Sequence, residues 1–194
     1  MKNHILNINA LALFLLLCGC LPEREAMQQP NFVRPPSEFL SDIKKIGEHG
    51  DMNDSAIISK STRIKFVANG WAPEPNRFGE YYGKMKQTFT AHSIPSEFGG
   101  NAAIPITYVE TTFSGRPISA FLMLPVKSDV ICATRRDVIS AFESGSSTID
   151  TDNLSIFNYD FKGANKISIM LFFKKSECVQ DIRIFQNPGN PNED

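Results

Sequence analysis

The sequence predicts an α+β fold: an antiparallel sheet or sheets of about six or seven strands with two short helices. Three observations predict it. Apolar and polar residues alternate with period two in short stretches from Arg63 to the C-terminal region. Helical spacing is confined to two places, around Ile43 and around Val138. Clusters of Gly, Pro, Ser and Asn punctuate the stretches between them.

Phe39, Ile43 and Ile46 fall at i, i+4 and i+7, with Leu40 beside them and Lys44-Lys45 facing away, so a helix opens the domain. Gly47 and Gly50 favour its end, and the polar run "HGDMNDS" from His49 follows as a loop. Arg63 to Asn69, Met85 to His92, Ile104 to Phe113 and Pro117 to Val126 read as strands. Ser114, Gly115 and Arg116 supply a hairpin turn between the last two. The run "ISAFLMLP" is apolar on both faces, which places it centrally in a sheet. Thr134 with Asp137 three residues later is a helix-capping signal, and Val138, Ile139 and Phe142 give that helix a buried face ending near Gly145. Three strands follow. Phe157, Tyr159 and Phe161 alternate with Asn158 and Asp160; "KGAN" at 162–165 turns the chain; Ile167, Ile169, Leu171 and Phe173 alternate again; Ile182 and Ile184 share one face of the last strand.

The N-terminal segment reads differently. Lys2 and His4 precede an unbroken apolar stretch from Ala10 to Leu17, shorter than the roughly 20 residues that span a bilayer core, so it is expected to be the apolar region of an export signal. Leu17-Cys18-Gly19-Cys20 resembles the lipobox of bacterial lipoprotein signal peptides, with a Leu three before the modified Cys and a small residue directly before it. Cys18 does not fit, because bulky Leu17 precedes it. The alternative is an ordinary secretory signal with incidental cysteines. The resemblance implies a signal peptide over 1–19 and lipidation of Cys20 by a thioether-linked diacylglycerol and an amide-linked fatty acid such as palmitate. Several chains, at ~0.8 kcal/mol per buried methylene, make release negligible. Leu21, rather than Asp, follows the anchor, which under the enterobacterial sorting rule implies the outer membrane, facing the periplasm.

Only Lys2 among the charged residues lies within 1–19, so residues 20–194 carry 19 Lys plus Arg against 21 Asp plus Glu. That balance predicts neither a nucleic-acid partner nor a strongly cationic membrane face. "PEREAMQQPNFVRPPS", with four prolines and little apolar periodicity, describes a flexible tether, so residues 20–37 are expected to separate the membrane from a single domain over 38–194. At up to ~3.3 Å per residue the tether reaches roughly 50 Å.

The stretch from Val130 to Gln186, a helix opened by "TRRDVISAF" and a three-stranded meander closed by "ECVQDIRI", resembles outer-membrane lipoproteins of the SmpA/BamE type and related inhibitor-like folds. The resemblance implies a helix-plus-meander architecture. With Cys20 lipidated in an oxidising compartment, Cys132 and Cys178 remain as a pair expected to form one disulfide, clamping the helix start to the last strand. Two buried thiols or a metal site are the alternatives, and neither cysteine has a His or Cys nearby in sequence to complete a metal site.

No catalytic constellation stands out, and no cofactor or metal is expected. His49 and His92 fall in or beside polar loops; G-x-S-x-G, H-E-x-x-H and phosphate-cradling glycine loops do not occur. Ser41-Asp42-Ile43-Lys44 matches S-x-x-K without the partner motifs of penicillin-recognising enzymes. "DTDN" at 150–153 starts like a calcium loop, but Leu154 and Ser155 break the ligand pattern, leaving a turn. Glu23 with Glu25, and Asp51 with Asp54, read as loop charges.

"WAPEPNRFGEYY" at 71–82 holds the only Trp together with Arg77, Phe78, Tyr81 and Tyr82 among prolines and a glycine. Interfaces favour such residues, and a stiff loop loses little entropy on binding; the alternative is that these rings cap the core. The expected function is therefore a non-catalytic, membrane-anchored protein-binding module with an envelope protein as partner, either an assembly accessory or an immunity or inhibitor protein. A small periplasmic enzyme with an unfamiliar site and, given 15 phenylalanines, a carrier of an apolar ligand are the alternatives.

Overall fold

Pro36, whose fixed φ suits a first helical turn, opens helix α1 (Pro36–His49), and Gly50 ends it in the left-handed region at φ 78°. The computed structural model describes residues 33–99, 104–113, 118–142, 147–151, 154–163, 165–173 and 177–188. The expected signal peptide, Cys20, the Glu23–Glu25 pair, most of the tether, the Ser114–Arg116 turn and Gly145 lie outside them.

The apolar side of α1, formed by Phe39, Leu40, Ile43 and Ile46, is fully buried, as its spacing requires. The expected boundary at residue 38 shifts earlier, because the chain is already packed before the helix begins. Arg34 is 1 % exposed, its guanidinium held by Asp42 at 2.9 Å, Glu97 at 2.8 Å and the Ser61 carbonyl at 2.9 Å, and lying against the adjoining rings of Phe39 and Phe98.

Helix α2 (Ser55–Thr62) follows and was not expected. Its cap is legible: Asp54 accepts hydrogen bonds from the Ala56 and Ile57 amides. Its periodicity is not, since it buries Ile58 with the small polar Ser61 and Thr62 instead of an apolar stripe. Arg63, expected as the start of a strand, is instead the left-handed C-cap of this helix, at φ 59°.

The strands are β1 (Lys65–Pro73), β2 (Lys84–His92), β3 (Thr107–Phe113) and β4 (Ser119–Pro125), then helix α3 (Arg135–Phe142), then β5 (Ser147–Thr151), β6 (Leu154–Phe161), β7 (Asn165–Phe173) and β8 (Asp181–Pro188). They form one eight-stranded sheet in the order β1-β2-β3-β4-β8-β7-β6-β5, antiparallel throughout. The expected α+β class with an antiparallel sheet and a disulfide holds, with one helix and one strand more than anticipated among the described residues. The meander after α3 has four strands, because β5 precedes the three that alternation picks out. Two four-stranded meanders, each following a helical segment, thus meet where their last strands pair, β4 against β8.

Register fixes the two faces. Tyr108, Leu122, Ile184, Ile169 and Tyr159 lie side by side across five strands, and they share one face with Phe157, Ile167, Leu171 and Ile182. All three helices pack there: Ile43 and Ile46 of α1, Ile58 of α2, and Val138 and Phe142 of α3 join these strand residues in a single core. Ile139, expected on the buried side of α3, is 51 % exposed; the helix turns Val138 and Phe142 inward instead. The expected capping pair does form: Asp137 Oδ2 accepts from the Thr134 hydroxyl at 2.6 Å and from its amide at 2.8 Å.

Cys132 and Cys178 are bonded, with Cα atoms 4.9 Å apart. Around them Thr134 bridges Cys178, and the Val179 amide donates to the Ala133 carbonyl at 2.9 Å, so the start of α3 is tied to the approach to β8.

Candidate functional site

The aromatic stretch at 71–82 runs from the last residues of β1 into the hairpin connection, and its rings are exposed rather than sealed over the core. At this end β2 is paired with β3 from Lys84 to Phe89, so it is the connection at 74–83 that runs beyond the strands, and from Val67 onward every residue of β1 is exposed. Trp71 lies within β1, beyond the register irregularity between Ala68 and Trp71 and next to Gly70 at φ 85°. Phe78 is 71 % exposed, Tyr81 65 % and Tyr82 60 %. Arg77 is exposed too, its guanidinium 4.7 Å above the Phe78 ring.

Asn76 organises the tip. Its side-chain oxygen accepts from the Phe78 amide at 2.8 Å and the Glu80 amide at 3.0 Å, and its own amide donates to the Glu80 carbonyl at 2.8 Å. The Tyr82 hydroxyl donates to Glu80 Oε2 at 2.6 Å, which lowers the Glu80 carboxyl from its ordinary value and raises the Tyr82 phenol. At the base of the tip Glu74 pairs with Lys84 at 2.7 Å, and the Lys84 ammonium holds its carboxyl low. Arg77, Phe78, Tyr81 and Tyr82 are thus exposed in the connection between β1 and β2, whereas Trp71 lies within β1, paired with Gln87 of β2.

The chemistry-bearing residues are, by contrast, dispersed. Ser41 and Lys44 line a shallow polar cleft between α1 and α3 with Glu48 and Asp137, but Lys44 pairs with Glu48 at 3.7 Å and no hydrogen bond joins it to Ser41. His49 ends α1, 3.5 Å from Asp54, and His92 is exposed at the end of β2. Asp150 and Thr151 belong to β5, and the rest of the "DTDN" turn, 152–153, lies outside the described residues. Asp51 and Asp54 cap local amides. Among the described residues no group of three or more His, Cys, Asp and Glu converges as a metal site, and no helix is long and apolar enough to cross a membrane.

A second surface escaped sequence reasoning. On the sheet face opposite the helices, Phe121 and Phe185 pair across the β4–β8 seam with ring centroids 4.9 Å apart, flanked by Val109, Met123, Met170 and Arg183. All are partly exposed. The signal was present in "ISAFLMLP": a strand apolar on both faces belongs at the centre of a sheet, and β4 does lie there, but none of the helices covers its second face.

No family model, curated protein or solved structure matches this chain.

Proposed function

We propose that the protein is a lipid-anchored, periplasm-facing lipoprotein that acts by binding another envelope protein without chemistry of its own, as an assembly accessory or as an inhibitor or immunity protein. The observation that carries this reading is the hairpin tip. Large aromatic side chains and an arginine are held out in solvent by a loop whose own hydrogen bonds fix its shape, so their contact area is available at low entropic cost. Rings that merely sealed the core would be buried. The lipobox-like Leu17-Cys18-Gly19-Cys20 supplies the anchor, and the chain from Leu21 up to the buried Arg34 supplies the spacer.

The test is in cells. A photocrosslinking residue at position 81 is expected to give a discrete protein adduct that the same residue at position 60, near the end of α2, does not. The absence of an adduct at 81, or the same adduct from both sites, overturns the binding reading. Cys20→Ser is expected to release the protein from membranes; a variant that still sediments after a high-salt wash refutes the anchor while leaving the hairpin result to stand alone.

A further inference from the structure

On the open sheet face the Arg183 side chain is held in a set orientation. Its Nε donates to Asp181 Oδ2 at 2.9 Å and its guanidinium lies 4.4 Å from the Phe172 ring centroid, so the side chain is fixed by a hydrogen bond at one edge and by stacking. The two terminal nitrogens make no hydrogen bond among the described residues, and the side chain is 39 % exposed. Met123 and Met170 stand on either side of it on the neighbouring strands.

Arg183 and Met123 form one wall of an open pocket of about 460 Å³ at the end of this face, and Lys127, without an ion pair among the described residues, lines the pocket as well. Asp181 and Asp129 are the carboxylates there. The two cations and two carboxylates balance in charge, with Asp181 only 6 % exposed and paired to Arg183 through Nε, so what the site offers an incoming group is the terminal donors of Arg183 and the Lys127 ammonium. A guanidinium whose orientation is set in advance and whose terminal donors are unspent is matched by a planar carboxylate, which accepts two hydrogen bonds from it. The apolar frame of methionine and phenylalanine matches non-polar side chains around that carboxylate.

We infer that Arg183, with Lys127, receives the carboxylate of an Asp or Glu side chain set among apolar residues of a protein partner, which docks on the open face of the sheet. This surface is distinct from the hairpin tip, and its failure would leave the tip's role standing.

The experiment selects peptides from a random displayed library on the full chain, purified in detergent and immobilised. Enriched sequences are expected to share an acidic residue with apolar neighbours, to lose tenfold or more in affinity against Arg183→Gln, and to bind normally to a Phe78→Ser, Tyr81→Ser variant. Arg183→Lys keeps the charge beside Asp181 while removing the fork, and is expected to retain the fold with weakened binding; its thermal melt separates lost contact from lost folding. Enrichment of peptides without an acid, acidic peptides indifferent to Arg183→Gln and Arg183→Lys, or no enrichment at all would each overturn the inference.

Discussion

The Tyr108 hydroxyl has one proton and two acceptors within reach, the Met52 carbonyl and Glu110 Oε1, the latter at 2.9 Å. Burial raises the Glu110 carboxyl above its ordinary value, the hydrogen bond from Tyr108 opposes that rise, and the charge of Asp51 adds to it. A protonated Glu110 donates to the phenol oxygen while the phenol donates to Met52, so both bonds are made; an ionised Glu110 competes with Met52 for a single proton. Because the folded value lies above the unfolded one, the contribution of Glu110 is fully present below the unfolded pKa, about 4.3, and is lost as pH rises through the raised folded value. Glu110→Gln donates at every pH, so urea midpoints of this variant are expected to fall less steeply than wild type across that window; identical slopes would show that folding leaves the titration of Glu110 unchanged. Arg34 poses the opposite case. Its charge is neutralised in place by Asp42 and by Glu97, whose side chain is 2 % exposed, so Arg34→Ala strands a buried carboxylate and is expected to cost about 3–5 kcal/mol in chemical unfolding. A loss below about 1 kcal/mol would mean that water reaches the Glu97 carboxylate once the guanidinium is gone.

Gly47 sits within α1, where alanine is ordinarily worth about 1 kcal/mol more than glycine. Here the expected sign is reversed. The Phe161 ring of β6 occupies the place where a Cβ would stand, so Gly47→Ala forces α1 away from the sheet and is expected to destabilise by about 1–3 kcal/mol, read from the urea midpoint. A more stable variant would mean that Phe161 rotates aside freely, and with it that the helix–sheet contact is loose. From sequence this glycine read as a helix terminator, whereas Gly50 ends the helix and Gly47 permits a close approach. The elements visible beforehand were α1, α3 with its Thr134–Asp137 cap, the four strands β1 to β4, and β6 to β8, each of which shows a strand or helix pattern in its own residues. Those missed have no such pattern to display. α2 turns mostly small polar residues inward, and β5 is a short strand at the sheet edge. The aromatic stretch was half legible, because composition flagged Trp71, Arg77, Phe78, Tyr81 and Tyr82, but only the fold shows that no helix or neighbouring strand among the described residues covers the rings. Arg183 was illegible, since nothing in "QDIRIF" tells that one face of its strand is uncovered or that Phe172 lies beneath the guanidinium.

At the scale of the molecule the sheet is two meanders joined by a single pair of strands, β4 and β8, and each meander takes its own helical segment onto the same face. A sheet assembled this way must bring β8, the last strand made, between β4 and β7, which couples its two ends across a long stretch of chain. The Cys132–Cys178 bond sits at that closure: the cysteines are 46 residues apart, and the bond ties the start of α3 to the turn leading into β8. Closing a loop of that length in the unfolded chain corresponds, on the chain-entropy argument, to about 4 kcal/mol of stability. For a domain of this size that is on the order of 10 °C in melting temperature. The chain from Leu21 onward, without Cys18 and Cys20, is therefore expected to show no reactive thiol when unfolded without reductant and two after reduction, and to melt on the order of 10 °C lower once reduced. Thiol titration and the melt answer separate questions. Two thiols in the unreduced, unfolded protein would remove the bond itself. A bond that is present but leaves the melting temperature unchanged on reduction would mean that the β4–β8 seam and the Ala133–Val179 hydrogen bond close the sheet without it.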